Sequence, residues 1–249
     1  MNKIHEILKS KGKERPAWQR AFRPLKPLIY SVMGTITHVI TEEPVVALTF
    51  DDGPHEYYTP ELLGVLKEHD ALATFFMVGQ AASQFPELVR QVYDDGHAIG
   101  NHTFSHVFIP SLRFKDRIKE IRKCQKALRP YGQRILRPPW GKQTTSSRLT
   151  TGMLGYRVIA WNVVAEDWLD KSAEYMADRL MEALRPGCIV LLHDRIYKSI
   201  MEYPQYDRLA AIEAVGLLLE KVKGKFRFVT VPQLLKQGKP SFSLWNMPV

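Results

Sequence analysis

The stretch Ala47–Pro54, ALTFDDGP, decides how the rest of the chain is read. Together with Val45 and Val46 it forms an apolar run that does not alternate with polar residues, as a strand with one wet face would. It therefore reads as a strand covered on both faces. It ends on two adjacent carboxylates, Asp51 and Asp52, followed by a Gly-Pro turn. Asp, Gly and Pro are ordinary turn formers, so the carboxylate pair gains meaning only from what the fold brings beside it.

Working outward, similar β-rich runs occupy 45–50, 72–78, 97–100, 134–137, 156–161, 188–192 and 226–230, with helical periodicity over 60–69, 83–94, 115–129, 146–154, 172–185 and 207–223. Thr59-Pro60-Glu61 marks a helix start, because Thr can cap and Pro suits the first turn. Strands alternating with helices need crossover connections and hence a parallel sheet. An open doubly wound sheet and a closed or nearly closed barrel of about seven strands both satisfy this α/β pattern. The β-branched alternation of residues 35–40 reads as an edge strand closing onto the core. No low-complexity linker interrupts the series, so 41–238 is read as one catalytic domain. Residues 1–40 are read as a basic N-terminal arm with an edge segment, and 239–249 as a C-terminal tail.

The 249 residues, 45% hydrophobic and 24% charged, have globular composition. The formal charge is +9, but residues 1–26 hold eight Lys or Arg against two Glu, a surplus of six. The basic excess thus belongs to the arm and not to the domain, which argues against a nucleic-acid partner and suits an anionic membrane face. Residues 27–40 are too short for a membrane span and are interrupted by Ser31, Gly34, Thr35, Thr37 and His38. The charged leader is too long for a signal peptide, so the expected location is cytoplasmic, at most peripheral at the membrane. Cys124 and Cys188 have neither disulfide nor metal-site spacing and read as buried thiols.

Five polar clusters follow the strands in order. Asp51 and Asp52 end the first; NHTFSH (101–106) follows the third; RPPWG (137–141), EDW (166–168) and LLHD (191–194) follow the fourth, fifth and sixth. All lie past the carboxyl ends of strands, the edge where parallel α/β folds bind ligands. His102 and His106 are four apart, which on a helical turn puts both imidazoles on one face at chelating distance. Two histidines and a carboxylate leave coordination positions open for water and a substrate oxygen. A further carboxylate can take the proton of that water, and a histidine opposite can protonate a leaving group. Such a set suits hydrolysis of an amide or ester.

With those residues in place, TFDDGP (49–54), HTFSH (102–106), RPPWG (137–141), EDW (166–168) and LLHD (191–194) resemble the five ordered motifs of the polysaccharide deacetylase family, the NodB-homology carbohydrate esterases. The resemblance implies a distorted, incomplete parallel (β/α) barrel and removal of an N-acetyl group from an amino sugar in a polysaccharide, oligosaccharide or sugar intermediate. It makes Asp52, His102 and His106 ligands of a divalent metal, zinc by default, although cobalt, nickel or manganese also suit such a site. Asp51 becomes the base that activates water, with Arg137 as its partner. His193 becomes the general acid, with Asp167 stabilising its protonated form. The backbone N–H of Trp140 becomes a candidate oxyanion donor, and Leu191 and Trp168 line an acetyl-methyl pocket. Many relatives are exported, and the expected lack of an export signal favours a lipid- or nucleotide-linked intermediate over a wall polymer. Two other classes stand beside this one: hydrolysis of another non-peptide C–N amide bond, and sugar binding without catalysis on the same scaffold.

Overall fold

The computed structural model describes residues 34–197 and 207–243. Its strands are β1 (Thr35–Ile40), β2 (Val45–Asp51), β3 (Ala73–Met77), β4 (Ala98–Asn101), β5 (Ile135–Leu136), β6 (Arg157–Ile159), β7 (Val163–Val164), β8 (Ile189–His193), β9 (Arg227–Phe228) and β10 (Lys239–Ser243). The helices are α1 (Tyr58–Glu68), α2 (Gly79–Gln84), α3 (Pro86–Asp94), α4 (Phe114–Ala127), α5 (Thr145–Met153), α6 (Ala173–Ala183), α7 (Leu209–Lys221) and α8 (Val231–Leu234). Neighbouring strands run in the order β10-β1-β6-β5-β4-β3-β2-β8-β7, with β9 paired to the start of β2. Every pairing is parallel except β1 with β10.

β2 is buried along its whole length, and its two faces serve different cores. Val46, Leu48 and Phe50 pack with Leu62, Leu66 and Leu218 of the surrounding helices, whereas Val45 and Ala47 join Ile36, Phe76 and Ile159 on the other side. Period-two alternation between two apolar environments is what makes the run continuous. Thr49 and Asp51 share the parity of Val45 and Ala47, so the second core turns polar towards the carboxyl end of the strand.

The sheet is curled. β1 and β8 are far apart in the strand order, yet His38 bridges Cys188 and the Val39 N–H donates to the Gly187 carbonyl at 2.9 Å. The result is the distorted, incomplete parallel barrel expected of the motifs. The structure adds β7 and β10, the first too short to carry a periodic signal and the second holding Lys239 and Pro240 at its start. Because β10 covers β1, the strand read as an edge has a partner on each side. Segments on both sides of 41–238 thus contribute strands to one sheet. The expected helix over 83–94 is divided at Phe85, since Pro86 starts a helix but cannot continue one. Thr59 does not cap α1 as its position suggests; its hydroxyl is used at the site described below. Cys124 and Cys188 are buried free thiols, and burial pushes the Cys124 thiol up to about 12.

Gly187 sits where the curl closes. It has φ 81, and a Cβ there would lie 1.8 Å from the Val39 carbonyl oxygen. Gly187→Ala should therefore cost about 1–3 kcal/mol through positive φ and lost closure, read as a lower urea midpoint at unchanged m-value.

Candidate active site

Asp51 is the last residue of β2, and Asp52 follows it with φ 77. That left-handed step sends adjacent carboxylates to different partners. Arg137 Nη1 donates to Asp51 Oδ1 at 2.7 Å, while Asp52 Oδ1 lies 3.3 Å from His102 Nε2 and 3.1 Å from His106 Nε2. The backbone N–H of Tyr197 donates to the other Asp52 oxygen at 2.9 Å. Gly53 is required by close approach, because a Cβ there would stand 2.2 Å from Asp194 Oδ2. The Thr59 hydroxyl donates to that same oxygen at 2.6 Å, tying α1 to the end of β8.

Asp52, His102 and His106 are all buried, and one ligand atom from each falls within 4.8 Å of the others, a group that could hold a metal ion. Burial alone would raise the Asp52 carboxyl, but the imidazoles of His106 and His102 outweigh it and hold the group well below its usual range. The two histidines do not converge on a helical turn, as their spacing suggests. They lie on the loop after β4, bent by left-handed Thr103 (φ 65) and His106 (φ 50). His102 Nδ1–H donates to the Arg137 carbonyl at 2.8 Å, which leaves Nε2 as the lone-pair nitrogen. Glu120 on α4 braces the loop from outside, accepting from the N–H groups of Phe104 and Ser105 at 3.1 and 2.9 Å and from the Ser105 hydroxyl at 3.1 Å.

Arg137 is fully buried. Besides Asp51, it donates to Thr49 Oγ1 at 2.8 Å and to the carbonyls of Ile159 and Ala160 at 3.3 and 3.0 Å, with its guanidinium over the Phe76 ring. His193 ends β8 directly beside Asp51 in the strand register. Its Nδ1–H donates to Asp167 Oδ1 at 3.0 Å, and its backbone N–H donates to Asp167 Oδ2 at 2.7 Å. Arg208 in turn donates to the Asp167 carbonyl at 2.7 Å. Burial would lower the His193 imidazole, but the charge and hydrogen bond of Asp167, with Asp52 and Asp51 nearby, push it up to about 9.

These groups open into one cleft of about 220 Å³, walled by Trp140, Trp168 and Leu191 together with Trp161, Ile196 and Tyr197. The structure thus brings together every residue that the motifs single out, with Arg137 and Asp167 one layer behind the cleft surface. Trp140 is held at φ 55 with its ring 4.5 Å from that of His106, and the Trp168 ring meets His193 edge-on at 5.8 Å. Trp161 and Tyr197 are functional candidates that sequence reading missed. The apolar run 156–161 places Trp161 inside a strand, but that strand stops at Ile159, which leaves Trp161 among the carboxyl-end residues. EDW follows the short β7 rather than the strand at 156–161. Glu120, in the middle of α4, carries no such signal.

Comparison with known proteins sets this geometry in context. Residues 38–159 match the family described as polysaccharide deacetylase. A chitooligosaccharide deacetylase of Azorhizobium caulinodans is 37% identical over 66% of this chain and 80% of its own length. The chain belongs to the polysaccharide deacetylase family. A peptidoglycan-N-acetylglucosamine deacetylase of Bacillus cereus is 32% identical over 82% of this chain and 94% of its own. A crystal structure of a peptidoglycan N-acetylglucosamine deacetylase in complex with 4-naphthalen-1-yl-N-oxidanyl-benzamide matches with a TM-score of 0.76 at 27% identity, over 88% of this chain and 99% of that one.

For this family member, the Asp167–His193 pair makes a pH prediction. A step that needs protonated His193 fails as pH rises through the imidazole's pKa. Asp167→Asn removes the charge that raises it, so the alkaline limb of kcat/KM should move to lower pH by about one unit or more. An unmoved limb in a folded variant would show that another group sets it.

Proposed function

We propose that the chain hydrolyses the N-acetyl group of N-acetylglucosamine-containing glycans or sugar intermediates with a divalent metal, zinc by default, held by Asp52, His102 and His106. What supports this reading is that an acid, a base and a three-residue donor set share one cleft in a chain whose relatives are named for deacetylating such sugars. The donor set fits the ion. Two imidazole nitrogens and a carboxylate oxygen converge, the His102 tautomer presents Nε2, and the Asp52 carboxylate is kept ionised. Bound there, a divalent ion supplies Lewis-acid polarisation of a carbonyl and acidifies water.

The chain's own residues do the rest. Asp51 has Oδ1 occupied by Arg137, so Oδ2 is the oxygen that takes the proton of the attacking water. His193 has Nδ1–H held by Asp167, so Nε2 is the atom that delivers a proton to the departing sugar nitrogen. Their adjacency in the β2–β8 register lets both reach one amide. The backbone N–H of Trp140 serves the developing oxyanion. Leu191 and Trp168 enclose the acetyl methyl, and the tryptophan walls offer flat surfaces to a sugar ring.

Among the described residues no helix is long and apolar enough to cross a membrane. Residues 1–26 lie outside the described residues; their positive surplus suits contact with an anionic membrane face.

His102→Ala and His106→Ala should each lose most bound metal and most activity together. Asp51→Asn should keep its metal and lose turnover by about 10²–10⁴-fold. Metal analysis beside acetate release from N-acetylglucosamine oligomers separates the two cases. Loss of metal from Asp51→Asn but not from Asp52→Asn would reverse the two aspartate roles. Activity confined to simple non-sugar amides would replace the deacetylase reading by the other amide class.

Leu191→Ala tests the methyl pocket. Room for a longer acyl chain should raise propionyl turnover relative to acetyl, by up to about 10–200-fold for one methylene, measured by competing the two N-acylated sugars.

A further inference from the structure

At the end of the sheet opposite the active site, the connections from α4 into β5 and from α5 into β6 border a second cleft, of about 450 Å³. Arg122, Lys126, Arg129 and Arg134 line it, and no carboxylate does. All four are exposed, and the exposed Lys and Arg ion pairs of the described residues lie elsewhere, on Arg90, Lys221 and Lys223. Arg122, Lys126 and Arg129 are spaced i, i+4 and i+7 along one face of α4 and the turn that ends it. Like charges at that spacing repel in water, and an anion laid across them removes the repulsion. Arg134 is fixed over the ring of Tyr156. Beside the cations, α5 exposes Met153 at 66% and Leu149 at 46%.

Two further facts fall on the same end. β1 runs parallel to β6 with Thr35 beside Val158, and β10 runs antiparallel to β1 with Ser243 opposite Thr35. The chain therefore enters β1 and leaves β10 where β5 and β6 begin, next to the basic cleft. The sequence before β1 includes the arm with its surplus of six positive charges, and the sequence after β10 reads LWNMPV.

We propose that this end of the molecule docks on an anionic bilayer. Lipid phosphates engage Arg122, Lys126, Arg129 and Arg134, while Met153 and Leu149 meet the apolar boundary beneath the headgroups. The active-site cleft, at the opposite end of the sheet, then opens away from the membrane. The folded surface acts beside the arm and is independent of the reaction in the cleft.

The test is sedimentation of the full chain with vesicles of phosphatidylglycerol and phosphatidylcholine in equal parts, and with phosphatidylcholine alone, at low and high salt. The variants are Arg122→Gln/Lys126→Gln/Arg129→Gln, Lys126→Glu alone in case the triple variant is unstable, and each of these without residues 1–26. The triple variant should lose about two orders of magnitude in partitioning at low salt, and Lys126→Glu, which changes the charge by two, about 30-fold. The loss should persist when the arm is absent, and turnover of a soluble N-acetylglucosamine oligomer should not change. Partitioning unaltered by these substitutions would overturn the proposal. So would equal binding to phosphatidylcholine, or binding of inorganic phosphate to the cleft without any effect of the substitutions on vesicles.

Discussion

The structure around the cleft depends on the burial of Arg137. A guanidinium with no solvent exposure is tolerated only if its donors are satisfied and its charge is matched. Here Thr49 and Asp51 of β2 and the carbonyls of Ile159 and Ala160 meet it from the two sides of the curled sheet. The same residue fixes His102, whose Nδ1–H is held by the Arg137 carbonyl. One buried cation thus orients the candidate base through its side chain and a candidate metal ligand through its backbone. Truncating it would leave Asp51 buried without its counter-charge, so stability and chemistry share a single residue.

That burial explains why the interior of the barrel changes character along β2. Val45 and Ala47 face Ile36, Phe76 and Ile159, and two residues on, the same face presents Thr49 and then Asp51 to Arg137. The apolar end supplies the packing that holds the strands, and the polar end needs that rigidity because each of its groups has a specific partner. β8 follows the same plan: Ile189 joins the apolar interior, Leu191 walls the cleft, and His193 closes the row beside Asp51.

Much of this was legible in the sequence, because strand ends are signalled by the switch from apolar runs to polar clusters, and parallel topology gathers those ends on one edge. ALTFDDGP, RPPWG and LLHD needed nothing more than that rule. The convergence of His102 and His106 was legible as a pair but not as a geometry, since the loop reaches it through left-handed Thr103 and His106, which no periodicity announces. Thr59 offered the chemistry of a helix cap and spends it on Asp194, because a buried carboxyl nearby needs a donor more than an exposed helix end does. β10 and Glu120 were invisible for a related reason. The neighbour of β10 is β1, at the other end of the described chain, and Glu120 reaches back 15 and 16 residues to the loop at 104–105; both lie beyond the few residues over which periodicity is read.

The left-handed non-glycine residues are concentrated where the chemistry is: Asp52, Thr103, His106, Trp140 and Glu166, with Asp70 the one remote from it among the described residues. Each holds a backbone conformation that an L side chain resists, and the packed barrel beneath must keep it there. The cleft is accordingly the part of the molecule least favoured by its own local preferences. A programme that ranked variants of this protein by heat tolerance alone would be rewarded for substituting glycine or asparagine at these positions, and would arrive at a sturdier barrel with its working surface erased.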